Sequence, residues 1–211
     1  MDVRPPDCRM GDGTGETDQL AAVPEWDDEY IDRVSDRLHH SYDLERDRTV
    51  AGHRFTLYGQ LAIRRHKQFL HPALTYGDHR TTEHLLVKRL EGVSTADVER
   101  LAELGERLAD EWIQPDAEHF GTEFVFGLVT PDVPADVRSF VSTFESRTLL
   151  TFGYHGHYRT RLFVVAPDRE ASVASPGTDV VRAFRLWDDG DGRTEPAGML
   201  DRLRAALSRR S

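Results

Sequence analysis

Residues 119–168 read HFGTEFVFGLVTPDVPADVRSFVSTFESRTLLTFGYHGHYRTRLFVVAPD, and their periodicity decides the fold class. The stretch 123–129 alternates and is dense in Phe and Val, as a mostly buried strand is. Phe124, Phe126 and Leu128 face one way, and Glu123, Val125 and Gly127 the other. A helix opens next: Thr130 or Asp132 supplies a cap, and Pro134 sits early, where its missing N–H costs least. Val137, Phe140, Val141 and Phe144 follow at i, i+3, i+4 and i+7, which is one helical face. A second apolar run, 161–166, is apolar on both faces, which suits a strand covered on both sides. Strand, helix and strand of these lengths predict parallel pairing through a right-handed crossover. Residues 148–152 form a candidate extra strand that turns back through Tyr154-His155-Gly156-His157.

Upstream, Trp26, Tyr30, Val34 and Leu38 repeat every four residues and predict a helix over 25–42. The clearest alternation is 53–65, with Phe55, Leu57, Leu61 and Ile63 inward and Arg54, Thr56, Tyr58, Gln60 and Arg64 outward. A further extended segment over 67–75, a turn at 76–79 and a third strand over 83–90 follow. Ser94 and Asp97 form a capping-box pattern ahead of the apolar stripe Val98, Leu101, Ala102, Leu108, Ala109 and Trp112. Residues 178–187 suggest a short helix. The order α-β-β-β-α-β-α-β predicts an α/β fold, a mixed central sheet with helices on its faces. One domain over 24–187 is expected between a disordered tail, 1–23, and a polar linker with a short C-terminal helix, 188–211.

Composition narrows the function classes. The 211 residues hold 22 Asp and 15 Glu, but only two Lys against 25 Arg, for a formal net charge of −10. An Asp-rich, Lys-poor chain is what solubility in concentrated salt selects, where screening makes self-repulsion cheap. A halophilic, archaeal source follows as an expectation. The single cysteine, Cys8, excludes an intramolecular disulfide framework and a Cys-based zinc site. No apolar run approaches the roughly 20 residues of a membrane span, so no membrane partner and a cytoplasmic location are expected.

Three clusters invite chemistry. His155 and His157 share one face if their segment is extended, and His119 supplies a third ligand for zinc or iron, with Glu123 as base. The competing account is turn chemistry, with Gly156 making the bend and the histidines making hydrogen bonds. Second, an acidic Asp78 ahead of a strand ending in Lys88 is similar to the restriction-endonuclease-like fold, which implies magnesium-dependent nuclease chemistry. The departure is plain: the triplet reads Leu86-Val87-Lys88, without the carboxylate, and Glu83 would have to substitute. Third, Arg64, Arg65, Lys67 and Lys88 make a basic cluster for an anion or nucleic acid, unless the many acidic side chains pair with it.

The strings HFGTEFVF, RTLLTFGYHGHY and FVVAPDRE resemble an uncharacterised haloarchaeal domain family over residues 27–187. That resemblance implies no activity. The sequence favours a non-catalytic intracellular binding or assembly module of a halophilic archaeon. The alternatives are a metal-dependent hydrolase with a His-rich site and a degenerate nuclease-like nucleic-acid-binding domain.

Overall fold

The computed structural model describes residues 24–66, 78–114 and 119–190. In chain order the elements are α1 (Glu29–Leu38), β1 (Asp43–Val50), β2 (His53–His66), β3 (Asp78–Arg89), α2 (Thr95–Trp112) and β4 (His119–Val129). They continue with α3 (Ala135–Thr143), β5 (Ser146–Leu149), β6 (His157–Ala166), β7 (Ala171–Ala174) and α4 (Val181–Phe184). The seven described strands form one mixed sheet in the order β1-β2-β3-β4-β6-β5, with β7 also on β6. β1, β2 and β3 are an antiparallel meander, while β3, β4 and β6 are parallel. The α/β architecture is the one the periodicity predicts, and β4–α3–β6 is its parallel unit.

Period-two alternation splits the buried side chains into two cores. Phe124, Phe126, Leu128, Leu162 and Val164 pack under α2 and α3, against Val98, Leu101, Leu104, Leu108, Val137 and Val141. Val125, Val129, Phe163 and Val165 face the other way, under Trp26, Ile31, Val34 and Leu38 from the α1 region and Val181 and Phe184 of α4. Each such side chain contributes about 1.5–3 kcal/mol through removal from water.

Polar contacts fix the helix starts. The Asp97 carboxylate accepts from the Ser94 backbone N–H at 2.9 Å and from its hydroxyl at 2.6 Å, as the capping pattern requires. Asp28 accepts from the N–H groups of Tyr30 and Ile31 and pairs with Arg89 at 2.6 Å, so the same carboxylate caps α1 and ties it to the end of β3.

Several expectations shift. The helix over 25–42 is shorter, because β1 begins at Asp43. β1, DLERDRTV, escapes the sequence reading because an edge strand with a single buried residue shows little apolar alternation. Tyr58, expected outward, is buried with Phe55 in the α2 core, whereas Leu57 lies in the α1 core. The phase slips at Thr56, whose carbonyl accepts from the Trp26 indole at 2.8 Å. Asp47, between the retained pairs Arg46–Leu57 and Arg48–Phe55, takes φ 54. The expected strand over 67–75, the tail over 1–23 and the helix over 198–210 lie outside the described residues.

Gly127 marks the tightest packing in the α1 core. A Cβ there would meet the Phe163 ring at 2.2 Å, and that ring is itself packed on Phe184 at 4.7 Å. Gly127→Ala is expected to destabilise the fold by about 1–3 kcal/mol through overpacking. Urea unfolding would measure it, and an unchanged midpoint would mean that Phe163 has room to move.

Candidate functional site

On the α1 face the parallel strands change character part-way along. Toward their C-terminal ends they carry Val87, Val129 and Val165; toward their N-terminal ends the same face turns polar. Register partners there make one row across five strands: Leu61, Glu83, Glu123, Arg159 and Arg147. Two carboxylates lie side by side, followed by two guanidiniums. Like charges directly opposite each other destabilise a sheet, so this order costs more than an alternating one.

Each charge is held differently. The Arg161 Nε donates to Glu123 Oε2 at 2.8 Å and its Nη2 to Oε1 at 3.4 Å, while Arg159 stands 3.6 Å away. The Glu123 and Arg161 side chains are only 19% and 14% exposed, so this pair is shielded from solvent screening. Arg161 also donates to the Pro176 carbonyl. The turn that follows folds against its guanidinium at Gly177, which has φ +77 and where a Cβ would come within 2.6 Å of Nη1. Glu83 has a different partner, the Tyr42 hydroxyl, which donates to Oε1 at 2.5 Å. Among the described residues no cation pairs with Glu83. Burial pushes its carboxyl above the ordinary 4.5, the Tyr42 hydrogen bond opposes this, and Glu123 adds to it. Burial, then Glu83, raises the Tyr42 phenol in turn.

Two cavities open on this region and share Arg161 and Gly177. One, of about 450 Å³, is walled by Tyr42, Glu83, Glu123 and Asp179. The other, of about 400 Å³, is walled by Arg147, Arg159 and the Ser175–Gly177 turn. Nothing in the one-dimensional pattern pointed to Glu83 or Arg161 as partners of Glu123. Their adjacency is set by register between strands far apart in sequence.

The expected metal cluster is not assembled. A register shift between β3 and β4 leaves Phe120 as an extra residue, which turns His119 to the α2 side, away from Glu123. Its Nδ1 donates to the His155 carbonyl at 2.6 Å, so its Nε2 is the acceptor of the Thr122 hydroxyl at 2.9 Å. Both ring nitrogens are therefore engaged. Gly156, at φ 78, breaks the extended geometry that would have aligned His155 with His157. A Cβ at Gly156 would lie 2.2 Å from the Phe120 carbonyl oxygen, so glycine is required where the loop crosses β4. His157 lies edge-on to Phe120, its pKa lowered by burial and then by Arg147 and Arg159. Among the described residues no group of three or more His, Cys, Asp or Glu is placed to hold a metal ion.

The remaining candidates separate as well. Glu83 and Lys88 sit five residues apart on β3 and so point to opposite faces, and Glu83 does not replace the carboxylate missing beside Lys88. The side chains of Arg64 and Arg65, and Lys67 entirely, lie outside the described residues.

Comparison with known proteins follows this geometry. Residues 27–186 match a family described as a domain of unknown function, DUF8052. The chain belongs to that family. No curated protein and no solved structure matches it. No described helix is long and apolar enough to cross a membrane.

Two outcomes are expected. A carboxyl with a raised folded pKa binds its proton more tightly when folded, so its contribution is fully present at low pH. That contribution fades as pH rises from the ordinary glutamate value through the folded one. Glu83→Gln should flatten this decline in urea-unfolding free energies between about pH 4 and pH 8; an unaltered slope would mean that Glu83 titrates normally. His119→Ala should cost about 1–3 kcal/mol, because it removes the hydrogen bonds to the His155 carbonyl and the Thr122 hydroxyl. The loss should be the same with and without EDTA. A loss confined to metal-containing protein would instead assign His119 a ligand role.

Proposed function

We propose that this DUF8052 domain is a non-catalytic binding module that captures a small ligand through a cationic group, most simply a primary amine. The observation that carries the reading is Glu83: a partly buried carboxylate beside Glu123, facing a cavity, with a phenol as its hydrogen-bond partner and, among the described residues, no ion-pair partner. The single guanidinium in that wall, Arg161, is committed to Glu123. An ammonium entering the cavity meets Glu83 and Asp179 and relieves the repulsion between the two glutamates. It also displaces the proton that burial favours on Glu83, so affinity rises as pH rises through the raised pKa.

The acidic, Lys-poor composition supports a setting in the cytoplasm of a halophilic archaeon, where screening weakens exposed charges more than partly buried ones. A metal-dependent hydrolase using zinc or iron has less support, since His119 would have to give up both of its hydrogen bonds. Nucleic-acid binding has less support too: several described arginines pair with carboxylates, as Arg46 does with Asp27 and Arg89 with Asp28.

Thermal unfolding with butylamine and trialanine amide tests the amine reading. At ten times its Kd, either ligand should stabilise the protein by about 1.4 kcal/mol, which is about 3–6 °C in Tm for a domain of this size. Glu83→Gln should abolish the shift, and calorimetry should detect proton release on binding. Equal shifts in wild type and Glu83→Gln would overturn the assignment.

A further inference from the structure

We infer that the ligand is dipolar, with an amine at Glu83 and an anionic end, carboxylate or phosphate, between Arg147 and Arg159. This rests on the amine reading of the same face and adds the chemistry of the other end.

The argument starts from the second half of the row. Arg147 on β5 and Arg159 on β6 are direct register partners on antiparallel strands, so their side chains rise together from one face. Arg147 is exposed and has no carboxylate within ion-pair distance among the described residues. Arg159 reaches Glu123 only at 3.6 Å, and that carboxylate is already bound in fork fashion by Arg161. Glu145, exposed on the same cavity wall, pairs with neither arginine among the described residues. The two guanidiniums stand side by side with only the shared, 3.6 Å contact of Arg159 to Glu123 to offset their repulsion, and an anion bound between them would relieve it. Arginine pairs suit carboxylate and phosphate because their N–H groups match planar or tetrahedral oxyanions bidentately.

The spacing selects the ligand. Glu83 and Arg159 are two strands apart, so the cationic and anionic ends of the ligand are separated by about 10 Å at the usual strand spacing. That is the reach of three extended residues, so a tripeptide with free termini or an aminoalkyl phosphate of similar length spans both cavities. Arg161 and Gly177 line both cavities, so the two open on either side of the same pair of residues.

Isothermal titration with whole protein tests this using trialanine, trialanine amide, N-acetyl-trialanine, aminohexyl phosphate and hexylamine. Each two-ended probe is expected to bind roughly tenfold tighter than its amine-only analogue, the worth of one charge-assisted contact. Arg147→Gln should erase that difference and leave trialanine amide binding unchanged; Arg159→Gln should also erase the difference, whatever its effect on the amide through Glu123, and keeps the test valid should one variant fold poorly. A difference below about threefold, or one that survives both substitutions, overturns the inference. Trialanine and its amide binding equally, with loss in Glu83→Gln, would overturn the dipolar ligand while the amine reading stands. Binding of N-acetyl-trialanine alone, dependent on Arg147, would overturn the amine reading and the dipole together.

Discussion

Helix α1 is too short for the sheet it covers. Its ten residues reach about 15 Å, whereas the twelve residues of β3 extend about 40 Å. On the other face α2 has eighteen residues and reaches about 27 Å, with α3 beside it. The α2 face has the longer helical cover, although it too carries Thr82, His84 and Thr122 toward the strand starts, and the α1 face changes from apolar to charged. The change is visible in each parallel strand. β3 goes from Val87 and Leu85 to Glu83, β4 from Val125 to Glu123, and β6 from Val165 and Phe163 to Arg161 and Arg159. The charged row begins where the helical cover ends.

The cores also explain why the row cannot rearrange to relieve its own repulsion. A slip of one residue between strands would move every apolar side chain to the wrong face. Leu85, Val125 and Phe163 under α1, and Leu86, Phe126 and Leu162 under α2, lock both faces at once. Glu83 is thereby held beside Glu123, and Arg159 beside Arg147. Partial relief comes from the diagonal Arg161–Glu123 pair and from the upward shift in the Glu83 pKa. Both are local adjustments to a register fixed elsewhere.

Much of the framework was legible in the sequence because it is encoded locally. β4 and β6 declare themselves by alternation and by runs apolar on both faces, and α2 by its Ser94–Asp97 cap and its stripe. What was not legible depends on distance. β1 is an edge strand whose residues mostly meet water, so apolar period carries no information there. Tyr58 keeps the alternation, on the face opposite Leu57, but that face is covered too, by the core under α2. Glu123 was singled out, but as a base for three histidines of which His119 lies across the sheet and His155 in a turn, leaving only His157 on its face. Its true neighbours, Glu83 and Arg161, are forty and thirty-eight residues away, and no spacing rule links them. The histidine pattern misled for a physical reason. An i, i+2 pair shares a face only when the residue between is extended, and Gly156 at φ 78 is not.

Open α/β sheets usually take ligands in the crevice beyond the carboxyl ends of their parallel strands. Here that end is closed by the structure's own bonds. The Leu90 N–H donates to the Val129 carbonyl and the Thr130 N–H to the Val165 carbonyl, both at 2.9 Å, continuing the ladder past the strand ends. Arg89 reaches over to Asp28 and fastens the start of α1 across the same edge. The exposed half of the α1 face is a charged concavity on the parallel strands, away from that end. A site on a sheet face has no helix N-terminus to supply positive charge, so side chains must provide all of it. Arg147 and Arg159 meet that need for an anion, and Glu83 meets the opposite need two strands away.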